Sequence, residues 1–257
     1  MEHVLVERNG RVLTVTINRP ERMNALHPPA NAALEQVFND FAADPELWVA
    51  IITGAGERAF SAGNDLRWQA EGNPITVPAT GFAGLTSRWD LTKPVIAAVN
   101  GVAMGGGFEV ALAADIIIAS DNASFALPEP KVGLAALAGG LHRLPRAIGL
   151  SRAMHMILTA RTVSAAEGKE LGFVEEVVPQ ADLLGRAQAM AVAMCELSPL
   201  SLRASKQAVL QGLTMDLRSA YEGQGKFEAV GALFRSEDLR EGPLAFAQKR
   251  KPEWKGR

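Results

Sequence analysis

The stretch Val95-Ile96-Ala97-Ala98-Val99-Asn100-Gly101-Val102-Ala103-Met104-Gly105-Gly106-Gly107-Phe108-Glu109 decides how this chain reads. An apolar, partly β-branched run leads through three successive glycines into an apolar run from Phe108 to Ala114. That succession predicts strand, turn and helix. Glycine lets a backbone approach a ligand closely, and the amides that open a helix lack intrahelical partners. An earlier segment repeats the arrangement, with Val49-Ala50-Ile51-Ile52-Thr53 before the turn Phe60-Ser61-Ala62-Gly63-Asn64-Asp65. Two such turns aimed at one point would make an oxyanion hole, a pair of N–H donors that polarises a carbonyl.

Outward from these turns the pattern alternates strand and helix. His3 to Glu7, an Asn9-Gly10 turn and Val12 to Ile17 predict a hairpin ended by Arg19-Pro20. Leu34, Val37, Phe38 and Phe41 share one face of a helix expected from about Ala30 to Ala42. Gly72 to Gly84, rich in Gly, Pro and Thr, reads as a mobile loop beside the turns. Ile116 to Ala119 and Ala123 to Leu127 are further short strands, Gly139-Gly140 precedes an amphipathic helix, and Ser164 with Glu167 predicts a capping box. From Ala181 onward the pattern is helical. The fold class is therefore α/β or α+β, with a core over 1–195 and a helical region over 196–257.

Composition narrows the partners. The 257 residues are 48% hydrophobic and 21% charged, with a net charge of −2, so nothing general attracts nucleic acid or an anionic membrane. The basic ending, Lys249-Arg250-Lys251 with Lys255 and Arg257, is either a solvated terminus or a phosphate contact. The single cysteine, Cys195, excludes an intrachain disulfide and a cysteine-rich zinc site. Met1 to Pro20 lacks the apolar core of a signal peptide, which points to the cytoplasm.

Other chemistries find little support. Gly54-Ala55-Gly56-Glu57-Arg58-Ala59 fits a dinucleotide fingerprint, but that motif needs a helix to start inside it, and Phe60-Ser61-Ala62-Gly63 intervenes. His3, His27, His142 and His155 show no metal spacing, and no G-x-S-x-G is present. The carboxylates remain. Glu109 sits among Phe108, Val110, Ala111 and Leu112, so it is expected to be buried, and a buried carboxylate is costly unless satisfied or functional. Glu129, between Pro128 and Pro130, sits on a stiff turn suited to aiming an acid or base.

Together these segments resemble the crotonase (enoyl-CoA hydratase/isomerase) superfamily over nearly the whole chain. The resemblance rests on Arg19-Pro20 with Asn24-Ala25-Leu26, Phe60 to Leu66, Lys93 to Gly101, Gly105 to Glu109, Phe125 to Leu134 and Gly139-Gly140. It implies a spiral of ββα units with a C-terminal helical trimerisation region. It also implies thioester oxygen binding by the Asn64 and Gly106 amides, and glutamates at both hydratase positions, Glu109 and Glu129. Coenzyme A contacts are expected along Met23, Ala25, Leu26, Ala62, Asn64, Asp65, Leu66, Arg67 and Gly106, with Lys249 and Lys251 as candidates for its 3′-phosphate.

The reaction implied is reversible hydration of a trans-2-enoyl-CoA, with no metal and no cofactor beyond the substrate's own CoA. Homotrimers, or hexamers of paired trimers, are the expected assembly, with the acyl-CoA thioester as partner and no nucleic acid or membrane. Gly81 to Thr86, Asp121 to Glu129, Glu241 to Ala247 and Glu253 to Arg257 extend the likeness to the branch that handles crotonobetainyl-CoA and carnitinyl-CoA. Asn64, where that branch has an aromatic residue, and Ala136, near its proline, depart from it. Trp68, Trp89 and the Gly72 to Gly84 loop are candidates for the acyl pocket, the tryptophans either packing or facing a cationic acyl group. The alternatives are a Δ3-Δ2 enoyl-CoA isomerase using one glutamate and, in another class, a non-catalytic acyl-CoA- or RNA-binding protein.

Overall fold

A computed structural model describes residues 2–74 and 76–257. The hairpin forms as the Asn9-Gly10 turn dictates: β1 (Val4–Asn9) pairs antiparallel with β2 (Val12–Ile17). Helix α1 (Pro28–Ala43) buries Leu34, Val37, Phe38 and Phe41, the predicted face. It begins two residues before the expected start because Pro28 occupies its first turn, where a missing N–H costs nothing.

Three strand–strand–helix units follow. They are β3 (Val49–Gly54), β4 (Ala59–Ser61) and α2 (Leu66–Ala70); β5 (Val95–Val99), β6 (Val102–Met104) and α3 (Gly106–Ala113); and β7 (Ile116–Ser120), β8 (Ser124–Ala126) and α4 (Gly140–Ile148). Then come α5 (Leu150–Thr159), β9 (Val163–Ser164), α6 (Ala165–Leu171), β10 (Glu176–Val178) and α7 (Leu183–Cys195). Helices α8 (Pro199–Gly212), α9 (Leu217–Gly223), α10 (Glu228–Phe234) and α11 (Asp238–Ala247) complete the chain.

The first strand of each unit joins a six-stranded sheet ordered β1-β2-β3-β5-β7-β10, and the second joins a four-stranded sheet ordered β4-β6-β8-β9. Each unit thus advances the chain by one strand in both sheets, the spiral that the resemblance implied. The larger sheet is covered on both faces. Ala50, Ile52, Ala97 and Val99 pack with Phe38 of α1 and Phe108 of α3. Val49, Ile51, Ile96 and Ala98 pack with Leu183, Ala187 and Ala191 of α7. Burial on both faces is why these strands read as continuous apolar runs.

The Gly54–Ala59 crossover is held by two buried asparagines. Asn24 Nδ2 donates to the carbonyls of Ala55 and Ala59 at 3.0 and 2.7 Å. Asn100 Nδ2 donates to Gly56 O at 2.7 Å while its Oδ1 accepts from the Gly54 amide at 3.0 Å. No helix starts there among the described residues, so the dinucleotide reading fails on structure as it did on spacing.

Two expectations need correction. Ser164 caps α6 by accepting from the Glu167 amide at 3.2 Å, but the Glu167 carboxylate turns to Arg161 at 2.6 Å, so the capping box closes on one side only. The mobile loop expected over Gly72 to Gly84, of which Ile75 lies outside the described residues, ends in a fastened knot. The Phe82 amide donates to Thr86 Oγ1 at 2.8 Å and the Ala83 amide to Asn31 Oδ1 at 2.7 Å. Among the described residues no helix is long and apolar enough to cross a membrane, and no cluster of His, Cys, Asp and Glu could hold a metal ion.

Candidate active site

Both glycine turns arrive at one place. The segment Met23–Leu26 runs beside the first turn: the Ala62 amide donates to Met23 O at 2.9 Å, Leu26 N to Gly63 O at 2.7 Å, and Asp65 N to Leu26 O at 3.0 Å. The second turn meets the first at Gly63, where a Cβ would stand 2.9 Å from the Gly106 nitrogen. Among the described residues no intramolecular acceptor is recorded for the Asn64 or Gly106 amide, and Gly106 opens α3. These are the unpartnered donors that an oxyanion needs.

The carboxylates close around the same turn. Glu109, in the first turn of α3, is 3% exposed, and its Oε1 accepts from the Gly140 amide at 2.8 Å. Glu129 follows β8 in a short 3₁₀ turn (residues 129–132) and lies against Gly105, where a Cβ would stand 2.8 Å from its Oε1. Its Oε2 is buried with no partner among the described residues. Burial pushes the Glu109 carboxyl up to about 7, opposed by the Gly140 amide and reinforced by the Glu129 charge. Burial also raises Glu129. Two neighbouring carboxyls held above the usual range favour a state in which one keeps a proton.

Other predicted residues divide. Met23, Ala25, Leu26, Ala62, Asn64 and Asp65 line one parallel crossing around the Leu26–Asn64 bridge, and Leu66 and Arg67 extend outward from it. Asp65 is committed internally: its carboxylate pairs with Arg19 at 3.0 Å and caps α2 by accepting from Trp68 N at 3.2 Å. Burial alone would raise that carboxyl, but the Trp68 amide and Arg19 hold it below its ordinary value. Trp68 packs edge-on to His27 at 5.1 Å.

Trp89, by contrast, is 79% exposed, and one of its faces carries the Arg143 guanidinium at 5.1 Å. Phe82, within the Gly72 to Gly84 loop expected at the acyl pocket, puts its ring in the place of a Gly106 side chain, whereas sequence reasoning missed Arg143. Only its proximity in the fold identifies that arginine. In the basic tail, Lys251 faces Glu196 at 3.8 Å, and Lys255 and Arg257 face Glu237 at 3.6 and 3.4 Å.

The description Enoyl-CoA hydratase/isomerase fits residues 7–257, almost the full chain. The chain belongs to the enoyl-CoA hydratase/isomerase family. Similar relatives include the carnitinyl-CoA dehydratase of Escherichia coli strain K12, 45% identical over 260 residues that cover 100% of this chain and 99% of that protein. The crystal structure of an enoyl-CoA hydratase from Mycobacterium marinum aligns with a TM-score of 0.93 at 38% identity, covering 100% of both chains. That of a carnitinyl-CoA hydratase from Mycobacterium avium aligns at 0.79 and 38% identity, again over 100% of both. The architecture of this family is the one built above from two sheets and their helices.

Proposed function

We propose that the protein is an enoyl-CoA hydratase, a hydro-lyase that adds water reversibly and syn across C2 and C3 of a trans-2-enoyl-CoA. The observation that carries this is a pair of carboxylates, Glu109 buried and Glu129 half-buried, set around the turn whose Asn64 and Gly106 amides have no acceptor among the described residues. The Asn64 and Gly106 amides hold the thioester oxygen and stabilise the enolate charge that develops as water attacks C3. Such donors contribute about 3 kcal/mol each. Glu109 takes a proton from the attacking water and Glu129 gives one to C2. Proton transfer between the two carboxyls then restores the starting state. A base with a pKa near 7 is matched to work near neutral pH.

Conjugate addition of water is redox-neutral, and CoA enters as the substrate's handle, along Met23 to Leu26 and Ala62 to Arg67. A lone cysteine suits the reducing cytoplasm. Residues 1–195 form the catalytic core and 196–257 the assembly region of a trimer or a hexamer of two trimers. Exposed Leu217, Tyr221, Phe234 and Phe246 on α9 to α11 support that assembly, since so large an apolar surface seeks a partner.

Within acyl-CoA substrates, the relatives named for carnitinyl-CoA favour a crotonobetainyl-CoA/carnitinyl-CoA pair. Comparison of kcat/KM for crotonyl-CoA and crotonobetainyl-CoA tests it. A clear preference for crotonobetainyl-CoA supports the carnitinyl assignment, and preference for crotonyl-CoA removes it. Conversion of a 3-enoyl-CoA without loss of crotonyl-CoA would make the enzyme an isomerase.

A further inference from the structure

Arg143 has no part in the chemistry described above, yet it touches the machinery from behind. It lies on the first turn of α4, the turn whose Gly140 amide donates to Glu109 Oε1 at 2.8 Å. Its side chain folds back over Gly139, so that its Nη1 takes the space a Gly139 side chain would need. Nη2 donates to Thr86 O at 2.8 Å, and the guanidinium lies over Trp89 at 5.1 Å. The cation is thereby pinned from two sides, by the fastened 80–89 segment and by its own helix turn.

The groups that face Glu109 are few. Glu129 comes from the turn after β8, the Gly140 amide donates at 2.8 Å, and Arg143 is the cation on that same α4 turn. Without it, an ionised Glu109 beside Glu129 would have only the Gly140 amide dipole in compensation. We propose that Arg143 is a positioning residue for the hydration: held by Thr86 and Trp89, its charge keeps Glu109 ionised as the base and fixes the turn that aims it. This deepens the hydratase reading and rests on it. The direction of its field agrees, since Arg143 lowers the proton affinity that burial and Glu129 raise. Arg143→Lys keeps the charge but not the planar fork that reaches Thr86 and stacks on Trp89.

The test is the pH dependence of kcat for crotonyl-CoA in the wild type, Arg143→Gln and Arg143→Lys. Arg143→Gln is expected to move the acidic limb to higher pH, so that turnover on that limb falls about tenfold for each unit moved. Arg143→Lys should return the limb most of the way. A limb that stays in place in Arg143→Gln, whatever happens to the plateau, overturns the proposal.

Trp89→Ala, at an exposed side chain, serves if Arg143→Gln does not fold: releasing the guanidinium should move the limb in the same direction, and an unmoved limb counts against it. An isotope-edited infrared titration of the Glu109 carboxyl, assigned with Glu109→Gln, reads the same shift without turnover. A wild type that hydrates nothing but whose Glu109 titrates higher in Arg143→Gln would separate failure of the hydratase reading from failure of this one.

Discussion

Gly63 and Gly106 stand so close that one methyl group on Gly63 would lie 2.9 Å from the Gly106 nitrogen and 2.7 Å from Met104 O. Gly63 also has φ +86°, a conformation that other residues reach only with strain. The convergence of the two turns therefore depends on a hydrogen atom at that position.

Gly63→Ala should displace the Gly106 amide and lower kcat/KM for crotonyl-CoA by ~100-fold or more, the scale of losing one oxyanion donor. Gly10→Ala is the control. It too has positive φ, but nothing lies within 4 Å of its added Cβ. It should cost about 1 kcal/mol of stability with turnover unchanged. Steady-state kinetics and denaturant melts on both variants separate strain from catalytic displacement.

Glu109 should make the folded protein less stable as pH rises. Its carboxyl titrates near 7 when folded against an ordinary 4.5, so between those values the folded chain holds the extra proton. Stability therefore falls as pH climbs through that window and stays low above it. Glu109→Gln, which cannot ionise, should be more stable than wild type at pH 8 by up to about 3 kcal/mol. The gap should shrink to under about 1 kcal/mol at pH 5 and close by about pH 4. Thermal melts across pH check it; an equal gap at both ends would mean that Glu109 is not the group responsible.

Asp65 holds the first turn through Arg19 and Trp68. Asp65→Ala leaves Arg19 buried without its ion pair, which should cost about 3–5 kcal/mol. Because the Asp65 amide lies in the same crossing as Leu26, KM should rise more than kcat falls. Urea unfolding and a KM-against-kcat comparison measure the two effects.

Phe246 is 87% exposed in the single chain, near the end of α11. Phe246→Asp should reduce the mass seen by light scattering while leaving far-UV circular dichroism unchanged. Unchanged mass would place the assembly surface elsewhere.

What could be read in the sequence followed from local chemistry. Asn9-Gly10 set the hairpin, the Leu34 to Phe41 face set α1, and burial of Glu109 followed from its apolar neighbours. Of the second sheet only β8 was legible, within the strand expected over Ala123 to Leu127; β4 and β6 have three residues each and pair only across the spiral, so neither their existence nor the sheet's order could be read locally. Trp89 shows the same limit. A large apolar side chain is expected to pack, yet its visible partner is Arg143, on a helix more than fifty residues later, and no local pattern records that contact. The Gly72 to Gly84 composition suggested a mobile loop, but its end is held by Asn31 of α1, again a long-range bond.

In the proposed hydration, two carboxylates and two amides act together on a 2-enoyl thioester. The most direct test is the rate of crotonyl-CoA loss with 3-hydroxybutyryl-CoA formation, in the wild type, Glu109→Gln and Glu129→Gln. The wild type should turn over, and each variant should lose ~100-fold or more in kcat with little change in crotonyl-CoA affinity. Near-wild-type kcat in both variants, or a wild type that leaves crotonyl-CoA untouched, would contradict it.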